Sequence, residues 1–299
     1  MEEQNTVKSY KLTNIDEIIK HIKQKFNIQK VLITFIIGCI TMLIIYPFLW
    51  MIVSSFKPLG EIYQFPPKFF TKSMSLKNYK EVLFNQNPSF LLYFKNTVIT
   101  TVVSVFGTVI TASMAGYAFA KMKFKYRDKL FMLYLITMMV PFQVLMVPQF
   151  ILFKYMGIFN TLWALILPRL FSPLSTFLMR QFFVDIPNSI IEAGRIDGAS
   201  EFRIFHKLVF PLAKPALATV VILNFVWRWN DYEGPLIFLT DKKYYTLTVG
   251  LTNFIDEAGV AQDHLIMAGA VVALIPMLVI FLIGQKYMIQ GLTAGSVKG

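Results

Sequence analysis

The residues with the most chemical content form a polar island between two apolar stretches, Glu192-Ala193-Gly194-Arg195-Ile196-Asp197-Gly198-Ala199-Ser200, followed by Phe202, Phe205, His206, Pro211 and Pro215. They do not supply a nucleophile with its base or paired carboxylates. His21, His206 and His264 are scattered without partners at ligand spacing, so no metal site is expected. What the island can do is dock. Pro187 can occupy the first turn of a helix that Gly198 ends in a left-handed conformation. On that helix Ile190, Ala193, Gly194 and Asp197 share a face, and small residues there admit another surface. Ser200 can cap a second short helix carrying Phe202 and Phe205, ended by Pro211. Such a helix-turn-helix knob suits a groove on a partner, with the aromatics as anchors. It equally suits a hairpin resting on lipid headgroups.

A second group could contact a solute. Arg169 follows Pro168 inside an apolar run, and an ionisable residue at that depth should face a cavity or a partner. It either contacts an anionic or hydroxyl-rich substrate or bonds to kinked backbone or a neighbouring subunit. Asn224, Trp227 and Arg228 offer polar donors and an aromatic face suited to a sugar, although Trp227 also fits an interfacial belt.

The elements that position these residues are membrane helices. Apolar residues make up 56% of the 299 and charged residues 15%, with a clearly positive mean hydropathy. Continuous apolar runs, each near the ~20 residues that cross a bilayer, predict six helical spans: Val31–Val53, Asn96–Phe119, Leu130–Phe150, Thr161–Met179, Leu212–Trp227 and Leu265–Tyr287. A barrel would show short alternating segments instead. The fold class is therefore all-α and polytopic, a six-helix transmembrane domain over 31–289 with the knob within 185–215. Residues 1–30 carry Ile15, Ile18, Ile19 and Ile22 at helical spacing, as an amphipathic cytoplasmic segment or a solvated leader. Residues 290–299 form a tail. Pro141, Pro148 and Pro168 fall inside spans, where they kink a moving wall or a static bundle. Thr246–Val249, in the segment from Asp231 to Asp263, reads as extended.

Basic residues set the orientation. Lys121, Lys123, Lys125, Arg127 and Lys129 follow the second span, and Arg180, Arg195, Arg203, Lys207 and Lys214 follow the fourth. Both connections are expected in the cytoplasm, and both termini with them. The acidic Asp231–Asp263 loop is expected outside. The Ser54–Lys95 loop carries Lys57, Lys68, Lys72, Lys77 and Lys80 against this rule, and its length lets it translocate despite them. The net charge of +12 is accounted for by residues that favour an anionic inner leaflet, with no basic stripe for nucleic acid. The single Cys39 excludes an intrachain disulfide.

The island resembles the loop by which ABC-transporter permeases grip their ATPase: Glu192, Ala193, Gly194, Gly198 and Pro211 stand at the positions of its Glu-Ala-Ala, Gly and Pro pattern, with Gly194 for the second alanine. Ser54-Phe56-Lys57-Pro58, Phe94-Asn96-Thr97, Ala115-Gly116-Tyr117, Gln143, Pro148, Arg180-Gln181-Phe182-Phe183 and Trp229-Asn230 look like the carbohydrate-uptake branch. So does the Gln290–Gly299 tail, which is similar to that of the smaller permease subunit of maltose-type transporters. The resemblance covers nearly the whole chain. It implies a non-enzymatic permease of a bacterial plasma (inner) membrane importer for a sugar or oligosaccharide, an acidic, uronate-containing one being the alternative. It implies a homologous second permease, two ATPase subunits that use ATP and Mg, and an extracytoplasmic solute-binding protein meeting the Asp231–Asp263 loop. ATPase coupling then falls to Glu192, Ala193, Gly194, Asp197, Gly198, Phe202, Phe205, His206 and Pro211. The chain lacks a Gly-x-x-x-x-Gly-Lys-Ser/Thr phosphate loop, so no cofactor is expected on it directly. A secondary transporter would call for inverted halves and intramembrane carboxylates, and neither is present.

Overall fold

The computed structural model describes residues 28–255 and 259–294, and all regular elements among them are helical. The chain divides into two units, Met1–Ser54 and Ser55–Gly299. The first contains α1 (Ile28–Ser54). Its side chains from Lys30 to Leu49 are all exposed, and an apolar helix without a polar face belongs in lipid. The expected amphipathic segment within 1–30 lies almost wholly outside the described residues. So does the tail beyond Ala294.

The second unit begins with two short helices, α2 (Leu59–Ile62) and α3 (Lys77–Phe84), then the long α4 (Phe90–Lys121). Next come α5 (Arg127–Ile136), α6 (Phe142–Tyr155), α7 (Leu162–Ile166), α8 (Pro173–Asp185), α9 (Asn188–Ile196), α10 (Glu201–Ile204), α11 (Phe210–Leu212) and α12 (Lys214–Trp229). α13 (Glu233–Phe238) and α14 (Leu247–Gly250) lead to α15 (Asp263–Ala294).

Among the described residues, four stretches are long and apolar enough to cross a membrane: Lys30–Ser54, Phe90–Lys121, Leu162–Asp185 and Asp263–Lys286. The third expected span is broken in its middle and the fifth at its first residues. Arg127–Met139 meets Phe142–Tyr155 at 96°, and Glu201–Leu212 meets Lys214–Trp229 at 80°. Six spans result when each bent pair counts as one. Pro141 explains the first break, since it holds Val140 in extended backbone (φ −78°, ψ 114°). The second falls at Ala213, just before Pro215 in the first turn of α12.

α4 organises the bundle. A Cβ at Gly116 would lie 2.8 Å from Met179 Cβ and 2.9 Å from the Arg180 backbone nitrogen, so α4 and α8 can approach this closely only with glycine here. Around that contact Ala112, Tyr117, Phe183, Val209 and Val220 form one core. Toward the other end of α4, Phe90, Tyr93, Phe225, Trp229 and Leu247 form a second. Asn96 Nδ2 donates to the Lys243 and Tyr245 carbonyls at 2.9 and 3.0 Å. Thr97 Oγ1 accepts from the Leu247 N–H at 2.8 Å. These bonds explain why the Thr246–Val249 expectation fails: only Thr246 is extended, and Leu247–Gly250 forms a helical turn closed by the Gly250 N–H on the Thr246 carbonyl at 2.7 Å.

Candidate functional site

The knob is a helical hairpin. Pro187 precedes α9 in extended backbone instead of sitting in its first turn. Gly198, at φ +73°, ends it in a Schellman arrangement, with the Ala199 N–H on the Gly194 carbonyl and the Gly198 N–H on the Arg195 carbonyl, both at 3.0 Å. Ser200 caps α10, its Oγ accepting from the Arg203 N–H at 3.4 Å. Pro211 does not end this second arm. The chain winds as a π-helix over Phe205–Val209, which places Pro211 within a continuous helical run to Leu212.

Burial divides the expected coupling residues. Glu192, Ala193, Asp197, Gly198, Phe202, His206 and Pro211 are exposed. Phe202, 66% exposed, stacks on the His206 ring at 6.2 Å. Phe205 is not a second outward anchor. It is 8% exposed and packs on Tyr117 at 5.3 Å and Phe210 at 5.7 Å, fixing the knob to the bundle. Gly194 is also turned inward, where a Cβ would meet Leu208 Cδ1 at 2.9 Å and Ile204 Cγ1 at 3.1 Å. The surface that its small size admits is the hairpin's own second arm. Ile196, 86% exposed, joins the outer face. Sequence reasoning missed it, although an isoleucine between Arg195 and Asp197 is out of step with the buried positions.

Two clasps tie the knob to α4. Glu201 accepts from Tyr117 Oη at 2.9 Å and Arg195 Nε at 2.7 Å. The latter bond holds the Arg195 guanidinium charged, above its already high ordinary value. Lys121 Nζ donates to the Ile186 carbonyl at 2.6 Å and Asn188 Oδ1 at 2.8 Å. From Tyr117 to Asn96, α4 rises about 30 Å, so the knob and the Lys243–Leu247 segment sit at opposite ends of a membrane-length helix.

A cavity of about 570 Å³ is lined by Arg169, Trp227, Arg228, Asp231, Glu233 and Gln149, with apolar walls including Met138 and Phe171. It gathers three of the four residues expected along a solute path. Pro173 has no N–H for the Arg169 carbonyl, and Thr108 Oγ1 on α4 supplies the missing bond at 2.6 Å. Arg169 itself forms an ion pair with Asp231, their side chains only 18% and 14% exposed. This pairing is neither of the structural bonds expected of Arg169, to kinked backbone or to a neighbouring subunit, and Arg169 still lines the cavity. Asn224 does not reach the cavity. It is 1% exposed, and its Nδ2 donates to Ser175 Oγ and the Val220 carbonyl, both at 2.8 Å, joining α12 to the first turn of α8. Asp231, Glu233 and Gln149 were missed. Asp231 was readable only as one of several loop acids, because its pairing spans 62 positions.

Residues 107–293 match the family of binding-protein-dependent transport system inner membrane components. This chain belongs to that family, an all-α, multi-span inner-membrane component. It is 34% identical over 284 residues to the arabinooligosaccharides transport system permease protein AraQ of Bacillus subtilis (strain 168), covering 94% of this chain and 100% of that protein. It is 35% identical over 281 residues to the trehalose/maltose transport system permease protein MalG of Thermococcus litoralis (strain ATCC 51850 / DSM 5473 / JCM 8560 / NS-C), covering 89% and 97%. Its fold is similar to a chain in the crystal structure of a bacterial ABC transporter involved in the import of the acidic polysaccharide alginate. The TM-score there is 0.78 at 25% identity, covering 87% of this chain and 96% of that one.

Proposed function

We propose that this chain is a permease subunit of an ATP-driven importer and lines the path of a sugar or oligosaccharide through the bacterial plasma membrane. One observation carries the reading: an exposed hairpin is clasped to one end of α4, the Lys243–Leu247 segment is held at the other, and a cavity with four ionisable side chains lies between, its Arg169 carbonyl bonded to Thr108. That is the geometry a conduit worked from one side and loaded from the other requires. Relatives along nearly the full chain named for sugar transport support it.

In this reading the knob faces the cytoplasm, both termini lie there, and the exposed Glu192, Ala193, Ile196, Asp197, Phe202 and His206 meet a separate ATPase that binds ATP and Mg. Gly194, Gly198 and Pro211 shape that surface, and Phe205 anchors it. Glu192 pairs with a basic group on the ATPase. Closure of two ATPase subunits on nucleotide drives the knob of this chain and that of a homologous second permease together, switching the bundle between two packings. Nucleotide can do so only through tighter binding to the closed state. The Asp231–Asp263 loop receives an extracytoplasmic solute-binding protein.

Detergent pull-down of the chain co-expressed with its chromosomal neighbours tests this. An ATPase should accompany the wild type and be lost from the Glu192→Ala, Gly198→Asp double variant. Equal recovery with both, or no ATPase with either, would overturn the coupling assignment.

A further inference from the structure

The cavity holds four ionisable side chains, and three of them have polar partners within the chain. Arg169 is paired with Asp231. Asp231 also accepts from the Gly234 N–H at 3.3 Å, and Glu233 accepts from Gln143 Nε2 at 3.3 Å.

Arg228 differs. Among the described residues no carboxylate lies within ion-pair distance of it. Its Nη2 reaches the Arg169 carbonyl only at 3.5 Å, the outer limit of a hydrogen bond. Its Nε is shielded from solvent and has no acceptor. Asp231 in the same cavity attracts it electrostatically without pairing with it, and a guanidinium withdrawn from water with donors left unbonded is costly. Most of its five donors are left over in a planar fork that matches a carboxylate. Neighbouring Trp227, 47% exposed on the same cavity, provides a flat apolar face for a sugar ring. Gln149 adds an amide that can serve hydroxyls. A neutral sugar would offer the Arg228 fork no pair of matching acceptor oxygens, whereas the carboxylate of a sugar acid would fill it.

We propose that Arg228 is the carboxylate-binding residue of the translocation path, and that the solute is an oligosaccharide containing acidic, uronate-type sugars. This rests on the sugar-import reading. Trp227 stacks on a ring while the Arg228 fork takes its carboxylate. The Arg169–Asp231 pair holds the 3₁₀ turn Leu167–Arg169 beside them and leaves Arg228 as the cation available to solute.

The test uses the complete importer, this chain with its second permease, ATPase and binding protein, reconstituted in liposomes. Uptake and ATP hydrolysis are measured with uronate oligosaccharides and with neutral oligosaccharides of equal length. The wild type should take up the uronates. Arg228→Gln should lower uronate uptake by about tenfold or more, as expected for loss of a charge-assisted pair. Arg228→Lys, which keeps the charge and loses the fork, should fall between. Co-purification of the ATPase with each variant reports folding separately. Uptake of neutral sugars alone by the wild type would overturn the acidic assignment and leave sugar import standing. An equal loss of both sugar classes in Arg228→Gln would also overturn it, by assigning the residue a structural role. If no sugar stimulates hydrolysis and no ATPase accompanies the chain, the import reading fails as well.

Discussion

The Tyr117 hydroxyl donates to the Glu201 carboxylate at 2.9 Å across 84 positions of sequence. This joins the last turns of α4 to the second arm of the knob. Tyr117 is 3% exposed, so its hydroxyl has little access to water if that acceptor is lost. The Arg195–Glu201 pair, with side chains 45% and 39% exposed, adds little by itself. In the proposed coupling, the clasp is where motion of the knob would enter the membrane helix.

Glu201→Ala should leave the exposed knob face intact while loosening its attachment. An unpaired buried hydroxyl costs about 1–3 kcal/mol. The expected outcome is an importer that still recovers its ATPase and hydrolyses ATP but moves several-fold less solute per ATP. Tyr117→Phe, which also removes the buried hydroxyl, should have a smaller effect. Reconstituted uptake divided by hydrolysis is the quantity to measure, and an unchanged ratio in Glu201→Ala would remove the clasp from the coupling route.

Gly116 permits the α4–α8 contact, and what a side chain would strike there is largely backbone. Gly116→Ala should cost about 1–3 kcal/mol by overpacking, and Gly116→Val should prevent the folded chain from accumulating in the membrane. Gly194→Ala should be milder, since the nearest atoms there belong to movable side chains of Leu208 and Ile204. Monodisperse yield in detergent would rank the three, and the idea fails if Gly194→Ala proves worse than Gly116→Ala.

The Arg169–Asp231 pair is mostly buried, and breaking such a pair leaves an uncompensated charge at a cost of about 3–5 kcal/mol. Arg169→Met or Asp231→Leu alone should each lower thermal stability strongly. The double variant should recover much of the loss, because an apolar pair needs no desolvation. Strictly additive losses in this cycle would show that the two side chains do not act together.

Much of this architecture was legible in the sequence because membrane helices announce themselves through long apolar runs, and Gly198 and Ser200 act locally at φ +73° and at a helix cap. The breaks at Pro141 and Ala213 were less legible. Prolines in apolar runs are compatible with a kink or a sharp bend, and neighbouring helices decide which. The partners of Arg169, Asn224 and Tyr117 were invisible, since Asp231, Ser175 and Glu201 are brought to them by packing across at least 49 positions. Phe202 and Phe205 stand three residues apart, which by helical spacing places them side by side. Phe205 nevertheless packs inward against Tyr117, Phe183 and Phe210, contacts that sequence spacing does not reveal.

That difference gives a direct experiment. Phe202 exposes two thirds of its surface and its stacked partner His206 is itself exposed, so Phe202→Ala should change thermal stability by no more than about 0.5 kcal/mol. If the exposed knob face meets the ATPase, the same variant should lose most ATPase co-purification, as expected for truncation of an aromatic anchor. Phe205→Ala empties a site between Tyr117, Phe183 and Phe210 and should cost about 3–5 kcal/mol. It should lower the amount of folded chain before any effect on the partner can be read. Should Phe205→Ala instead fold normally and lose the ATPase while Phe202→Ala does neither, the inward placement of Phe205 would be wrong and both arms of the hairpin would need to be rotated about their axes.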